Sequence, residues 1–476
     1  MSELSKGWVD ASLEEVVLFK KGTKPKILID QKKDGFIPYI DIRAFEKNEI
    51  RQFAEVGSSK ITTKSDILVV WDGARCGLVG MGKEGAIGST IMCLTPIELY
   101  PKYLYHFLKT EYDNINSDNK GTGIPHVKSE LFWNLQVPLA PINEQKRIIE
   151  KLDKLLARVE EAKDRLDKIP VLIKRFRQSV LNAAVTGVLT KDWREEQGEK
   201  NSIECLIQLK TIRKQKWEID QKAKTIKRNY TEPVDSSEEN LLEIPSSWIW
   251  TSVDTVCSQI TDGEHVQPPY QEDGFPMLSA KHVRDGFVSF QDAKNISESD
   301  YKKSVERCMP EINDILIVSV GATTGRSAIV TEDKRFAIVR SVLLLKPIIP
   351  SLFLLRWLQC PRTLGWMFSA SGASAQPHLY IKDTKRMPIP LPSIKEQKEI
   401  VKRVEALFKT ADEIEERYKK ANAYVDKLTQ SILAKAFRGE LVPQDPNDEP
   451  AEKLLERIRE GKKKLISSKE KKKKKK

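Results

Sequence analysis

Glu144-Gln145-Lys146 and Glu396-Gln397-Lys398 have the spacing in this 476-residue chain that most suggests chemistry. A Glu-x-Lys set with an upstream aspartate is how nucleases hold a catalytic metal ion. Here both copies open amphipathic stretches, so the preferred reading is charge placement, a glutamate set at the positive end of a helix. Other chemistries leave weaker traces. There is no GxxxxGK[ST] phosphate loop, no glycine fingerprint for a methyl donor or dinucleotide, and no Asn-Pro-Pro-aromatic motif for base methylation. The five histidines (His106, His126, His265, His282, His378) fall in no metal-ligand spacing, and no metal is expected. Six scattered cysteines without a CxxC pair argue for a reducing compartment and against a disulfide framework.

Polar loops hold the remaining candidates. GTGIPHVK (121–128) and SGASAQPHLYIK (371–382) are either plain connections or loops whose amides and hydroxyls meet phosphates. GARCG (73–77) and GATTGR (321–326) each follow an apolar run. Their glycines make a hairpin or present Arg75 and Arg326 at its tip, where arginine reaches guanine or phosphate. DGEHVQPPY (262–270) reads first as a structured turn. The candidate DNA-contact residues are Lys24, Lys26, Arg75, Lys120, Thr122, His126 and Lys128 in the first half of the chain. In the second half they are His265, Lys281, Arg284, Thr323, Thr324, Arg326, Ser374, Gln376, His378 and Lys382.

Those loops recur because the chain says nearly everything twice. PLAPINEQKRIIEKLDKLL (138–156) matches PLPSIKEQKEIVKRVEALF (390–408) at eight of nineteen positions. LSKGWVDASLEEV (4–16) pairs with IPSSWIWTSVDTV (244–256), and KSDILVVWDGARCG (64–77) with INDILIVSVGATTG (312–325). AIGSTIMCLTP (86–96) pairs with AIVRSVLLLKP (337–347), and QSVLNAAVTGVL (178–189) with QSILAKAFRGEL (430–441). The offset, 240 to 252 residues, is far beyond solenoid periods and marks a duplicated unit.

The first part of each unit shows short β-branched runs, with helices at PKYLYHFLKT and SLFLLRWLQ. The second part is helical with apolar steps of four and three. The expected seam uses Ile148, Leu152, Leu155, Val159, Leu166 and Ile173 against Ile400, Val404, Leu407, Ile414, Val425 and Leu428. Ile149, Leu156, Val401 and Phe408 lie beside it, either widening the core or facing another protein. Ser393 with Glu396 suggests a capping box, Asn143 a cap on the first helix, and Pro170 a break within it.

The fold class expected is α+β. Two mixed α/β domains are separated by two long helices in an antiparallel coiled coil, with an internal pseudo-twofold repeat. The boundaries are a first head at 1–140, a spacer helix at 141–190 and a basic helical linker at 191–240. A second head follows at 241–392, a second spacer helix at 393–445, and a C-terminal helix with a tail at 446–476. A helix over 143–186 is about 66 Å long.

Bulk numbers add little to this. The net charge is +12, but the last sixteen residues hold ten lysines and one glutamate, hence +9, leaving +3 for the rest. The lysine run is expected to be a disordered, solvated tail. No stretch is apolar enough to span a bilayer, and a cytoplasmic location is expected.

Heads opening LSKGW or IPSSW, each ending in PLxxxxEQK before a long helix with a QSVL or QSIL tail, resemble the specificity subunit of type I restriction–modification enzymes. ITDGEHVQPPY (260–270) and the lead-in RNYTEPVDSSEENLLEIPSSW (228–248) strengthen the resemblance, which covers about residues 1–460. It implies a noncatalytic chain whose heads each read half of a split site on double-stranded DNA and whose helices set the gap. It also implies two methyltransferase subunits carrying S-adenosylmethionine, and restriction subunits using ATP and Mg2+; this chain itself would hold no cofactor. KKGTKPKI (20–27) replaces the DGxH turn in the first head, so the two heads need not contact DNA through the same side chains. The alternatives are a coiled-coil scaffold with protein-binding heads, the specificity part of another multi-subunit restriction system, and a fused enzyme.

Overall fold

The computed structural model describes residues 5–116, 125–198, 202–222, 229–236, 241–371 and 377–473. It divides into two units, Met1–Asp167 with Tyr418–Lys476, and Lys168–Arg417. The helices longer than ten residues among the described residues are α1 (Ile142–Leu166), α2 (Ile169–Val185), α3 (Ile203–Lys222), α4 (Ile394–Phe437) and α5 (Ala451–Lys473).

In the first unit the head begins and ends in one ribbon, Val9–Ser12 antiparallel to Gln136–Leu139. This pairing hands the chain directly to α1. A four-stranded antiparallel sheet follows, ordered Val17–Lys21, Ile91–Pro96, Ile67–Val70, Val79–Met81. Ile67–Val70 and Ile91–Leu94 are buried on both faces, which accounts for the unbroken apolar runs DILVV and TIMCL. The aspartate before the first run ends a turn: Asp66 Oδ2 accepts Thr63 N–H at 2.8 Å. A second sheet of short strands lies over the opposite face, with Phe36–Ile40 parallel to Gly85–Ile87 at its centre.

The second unit repeats this plan. Ile249–Ser252 pairs with Pro388–Leu391. The sheet built on Cys257–Asp262, Val342–Pro347, Ile315–Val318 and Ser327–Ile329 takes the same order. Phe275–Leu278 runs parallel to Ala337–Ile338. The helices expected near 101–110 and 351–359 form at Pro101–Thr110 and Ser351–Leu358.

The helical stripes pack inside each unit. In the first, Ile148, Ile149 and Leu152 of α1 are buried with Ile432, Leu433 and Ala436 of α4, bordered by Leu155, Leu156, Val159 and Leu428. Lys163 of α1 pairs with Asp426 of α4 at 2.8 Å, while Arg147 near the start of α1 pairs with Asp448, in the segment that follows α4, at 2.6 Å, so numbers rise along one helix as they fall along the other. In the second, Val180, Leu181, Ala184 and Val185 of α2 pack on Ile400, Val404 and Phe408, with Arg177 and Asp412 at 2.5 Å. Both pairs are antiparallel. Ile149 and Phe408 belong to these cores, and Leu156, Val401 and Leu407 pack against them, so the row beside the seam widens it. Ile173 and Val425 are buried and Leu166 half-buried, but Ile414 is 44% exposed.

The two remaining long helices back the heads in equivalent ways. Ala451 N–H donates to Gly7 O at 3.0 Å, and Ser202 N–H to Ser247 O at 3.1 Å, each just before a head's first tryptophan. Leu454, Leu455 and Ile458 of α5 enter the first head's core, as Cys205 and Leu209 of α3 enter the second's. Lys462 donates to the Glu14 carbonyl, as Arg213 does to that of Asp254 at 3.2 Å.

Four local expectations are corrected. Asn143 is no cap: α1 starts at Ile142 after Pro141, which makes no side-chain cap bond. The capping box at Ser393 is half formed. Ser393 Oγ accepts Glu396 N–H at 3.3 Å, but the Glu396 carboxylate turns into the head, where it accepts from Trp248 Nε1 at 2.8 Å. Glu144 does the same for Trp8 at 3.1 Å, so helix-end charge does not explain the paired glutamates. Finally, α5 runs through the lysine-rich segment to Lys473, because lysine is a good helix former and one glycine, Gly461, does not end a helix already anchored by its first turns. Pro170 acts as expected: α1 ends at Leu166, and α2 restarts at Ile169 with the proline in its first turn.

Candidate nucleic-acid interface

The glycine loops are hairpin turns. Gly73 and Gly77 have φ of 101° and 83°, and Gly321 and Gly325 have 96° and 88°, values that favour glycine. They connect Ile67–Val70 to Val79–Met81 and Ile315–Val318 to Ser327–Ile329. Each turn is then cross-linked to the distant Pro-His pair. Gly73 N–H donates to Pro125 O at 2.8 Å and Val127 N–H to Trp71 O at 2.9 Å; Gly321 N–H donates to Pro377 O at 3.1 Å and Leu379 N–H to Ser319 O at 2.8 Å. Asp72 therefore bridges His126, and Val320 bridges His378. Two loops that are far apart in each half of the sequence become one surface.

The side chains on that surface differ between heads. Arg75 is exposed, with its Nε 3.4 Å from Glu46. His126 and Lys128 are exposed beside it. In the second head the His378 ring lies tilted by 31° against Tyr380, 4.0 Å between centroids, and Lys382 sits 5.7 Å over the same Tyr380 ring. The Thr324 hydroxyl donates to Gly321 O at 2.7 Å and so shapes the turn, while the main-chain carbonyl of Thr323 accepts Arg326 N–H at 3.1 Å. Lys120, Thr122, Ser374 and Gln376 lie outside the described residues.

The turn after each head's first long strand also meets this surface. Gly22 and Gly263 are equivalent, and a Cβ on either would fall 2.0 Å from a carbonyl oxygen, of Gly88 or of Ile338. In the first head Lys21 pairs with Asp72 at 2.8 Å, which ties the loop carrying exposed Lys24 and Lys26 to the hairpin. In the second head Asp262 sits at that position. Its Oδ2 lies 2.8 Å from His265 Nε2 and its Oδ1 takes Arg307, so the imidazole is oriented by a carboxylate. Lys281 lies on the short turn after Phe275–Leu278, donating to Asp292 O at 3.2 Å, and Arg284 is exposed just beyond it. His282, between them, is buried, and burial lowers its pKa.

Reasoning from the sequence passed over Arg43, Arg51 and Arg340, which are all exposed. Arg340 was within reach: AIVRS aligns with AIGST and places it opposite Ser89. Among the described residues no group of His, Cys, Asp or Glu is arranged to hold a metal ion, and no helix is long and apolar enough to cross a membrane.

Comparison with known proteins agrees with this geometry. The family described as "Type I restriction modification DNA specificity domain" matches residues 5–170 and 268–422. The chain is 34% identical over 490 residues to the Escherichia coli type I restriction enzyme EcoBI specificity subunit, covering 95% of this chain and 92% of that one. It is 28% identical to the EcoKI specificity subunit of E. coli K12, over 96% of both chains. In fold it is similar to a chain from the structure "Structural basis underlying complex assembly and conformational transition of the type I R-M system". There the TM-score is 0.62 at 19% identity, over 92% of this chain and 100% of that one. The crystal structure of the HsdS subunit from Thermoanaerobacter tengcongensis matches with a TM-score of 0.51 at 20% identity, over 92% of this chain and 98% of that one. With duplicated heads, paired helices and relatives matched along nearly their whole length, the chain belongs to the type I restriction–modification specificity subunits, the noncatalytic DNA-specificity component of such a system.

Proposed function

We propose that each head reads one half of a bipartite site on double-stranded DNA, and that the helical pairs set the number of unread base pairs between the halves. The observation that carries this reading is the shared hairpin-to-Pro-His cross-link in both heads beneath unlike side chains. A common backbone positions the reader, while Arg75, His126 and Lys128 on one head and His378, Tyr380 and Lys382 on the other supply different contacts. The candidate DNA contacts are those named from the sequence, with Thr324 acting through the shape of its turn. Two methyltransferase subunits bring S-adenosylmethionine, and restriction subunits bring ATP and Mg2+. The complex works in the cytoplasm.

The test is co-expression with a partner methyltransferase subunit, followed by methylome sequencing. The expected result is one split motif with two defined halves and a fixed gap. Active subunits that leave the genome unmethylated, or that methylate a continuous site, would overturn the proposal.

A further inference from the structure

In both heads the second sheet contains one parallel strand pair, and parallel neighbours end at the same edge. The register is Tyr39 to Ala86 and Ile40 to Ile87 in the first head, and Met277 to Ala337 and Leu278 to Ile338 in the second. The exits match too. Gly88 N–H donates to Ile40 O at 3.0 Å, and Val339 N–H to Leu278 O at 3.0 Å. Asp41 caps the turn after the first strand by accepting Ala44 N–H at 2.8 Å, and Ser279 holds the same place in the second head. By this register Arg43 stands where the second head has Lys281, and Ser89 where it has Arg340. The scaffold is kept and the hydrogen-bonding groups are exchanged.

Beyond the carboxyl ends of the pair in the first head lies an open polar cleft, lined by Arg43, Arg51, Gln52, Ser89 and Thr90 with Asp30 and Asp41. The lining indicates which ligand. Two guanidinium groups are offset by two carboxylates, so the cleft has no surplus positive charge for phosphate. Asp41 is committed to its cap, and Asp30 accepts from Gln52 Nε2 at 3.2 Å. Arg51 pairs with Glu49 at 3.4 Å, so what remains is an exposed, mixed set of donors and acceptors around Arg43, which suits base edges in a groove. The cleft also adjoins the hairpin surface: Trp71 N–H donates to Thr90 O at 2.8 Å, one residue before the Asp72–His126 bridge.

We infer that this cleft is a second base-reading site of the first head beside the hairpin surface, with Arg43 donating to O6 and N7 of a guanine in its half-site, and that Lys281 and Arg340 read different letters from the same place in the second head. The inference rests on the half-site proposal above and names where in the head the letters are read.

The experiment uses the complete complex with its methyltransferase subunits, on duplexes carrying the motif with each guanine in turn replaced by 7-deazaguanine, which lacks N7. For the unaltered complex, one replacement should lower kcat/KM for methylation about 5-fold or more, at the lower end of the range of one bidentate base contact because O6 is kept. Arg43→Ala should lose a similar factor on the unmodified duplex and become insensitive to that one replacement, with the other half-site read as before. Because Arg43 is exposed, the variant should keep its unfolding midpoint; Ser89→Arg, a second surface variant, should alter letters in the same half only. The inference is overturned if Arg43→Ala is as sensitive to every replacement as the parent, if it weakens all duplexes equally with a reduced salt dependence, or if no guanine replacement matters. A split motif with an unaffected Arg43→Ala sinks the cleft alone; the absence of a split motif sinks the half-site proposal itself.

Discussion

The indole N–H of Trp8 donates to Glu144 Oε2 at 3.1 Å across 136 residues, and this buried bond ties the first head to the helix that leaves it. Trp248 and Glu396 form the same bond at 2.8 Å in the second unit. The adjacent glutamine completes each junction, with Gln145 Nε2 donating to Ala140 O and Gln397 Nε2 to Pro392 O, both at 2.9 Å. The Glu-Gln pair repeated in the sequence is thus a structural clamp. The two clamps are unequal, however. Glu396 also takes Arg194 at 2.5 Å and Thr190 Oγ1 at 2.8 Å, whereas Glu144 Oε1 is buried without a hydrogen-bond partner, and burial raises the Glu144 pKa.

That inequality predicts different responses to one substitution. Glu396→Ala leaves Arg194, mostly buried, without its carboxylate, and should cost about 3–5 kcal/mol. Glu144→Gln keeps an oxygen for Trp8 and removes a poorly solvated charge, so it should change stability by less than about 1 kcal/mol. Denaturant unfolding of the two variants should separate them clearly; equal losses would contradict the account.

His106 predicts a pH dependence. It is 6% exposed, its Nδ1 has no hydrogen-bond partner, and burial together with Lys109 and Lys102 lowers its pKa from 6.5 to about 4, against the weaker opposing pull of Asp153. The folded state therefore disfavours the proton that the unfolded chain accepts. The stability this contributes is complete above pH 6.5 and is lost as pH falls from there towards about 4. Unfolding midpoints measured across that window should decline in the parent, and His106→Asn should remove part of the slope.

Gly22 and Gly73 should both lose stability on substitution by alanine, but by different amounts. At Gly22 the new Cβ would lie 2.0 Å from the Gly88 carbonyl oxygen, so the turn must separate from the adjoining strand, and a loss of several kcal/mol or insoluble protein is expected. At Gly73 there is open space but φ is 101°, so Gly73→Ala should cost only about 1–3 kcal/mol. Thermal unfolding distinguishes the two.

The backing helix α5 should matter for stability through its first turns and for charge through its last. Leu454→Ala and Ile458→Ala, at core positions in the first head, should each cost about 2–5 kcal/mol. Deleting residues 469–476 removes seven lysines and one glutamate, a net +6, and should leave the unfolding midpoint unchanged while reducing the salt dependence of nonspecific DNA binding.

The gap between half-sites should respond to the helices alone. Four residues inserted near Gln178 should lengthen the unread gap in the methylated motif and leave both halves as they were. Exchanging residues 1–140 for another head should change one half only. Changed letters after the insertion would refute the spacer role.

Much of the architecture could be read from local pattern. β-branched runs bounded by Gly and Asp mark the strands, apolar steps of four and three mark α1, α2 and α4, and Pro170 marks the break, because strand and helix periods are properties of neighbouring residues. The duplication is equally plain in the amino-acid order, and with it the equivalence of the two heads. Tertiary structure decided what the repeated residues do. Whether Glu144 and Glu396 serve a helix end or a distant indole depends on a partner 136 or 148 residues away. That α3 and α5 occupy the same place on their heads rests on long-range bonds to Ser247 and Gly7, in segments whose sequences barely match. Arg43 looks like an ordinary surface residue until the parallel register sets it at the edge of the cleft beside Ser89. Local pattern fixes the periods of the chain, but contacts between remote segments are set only when the whole apolar surface is buried at once.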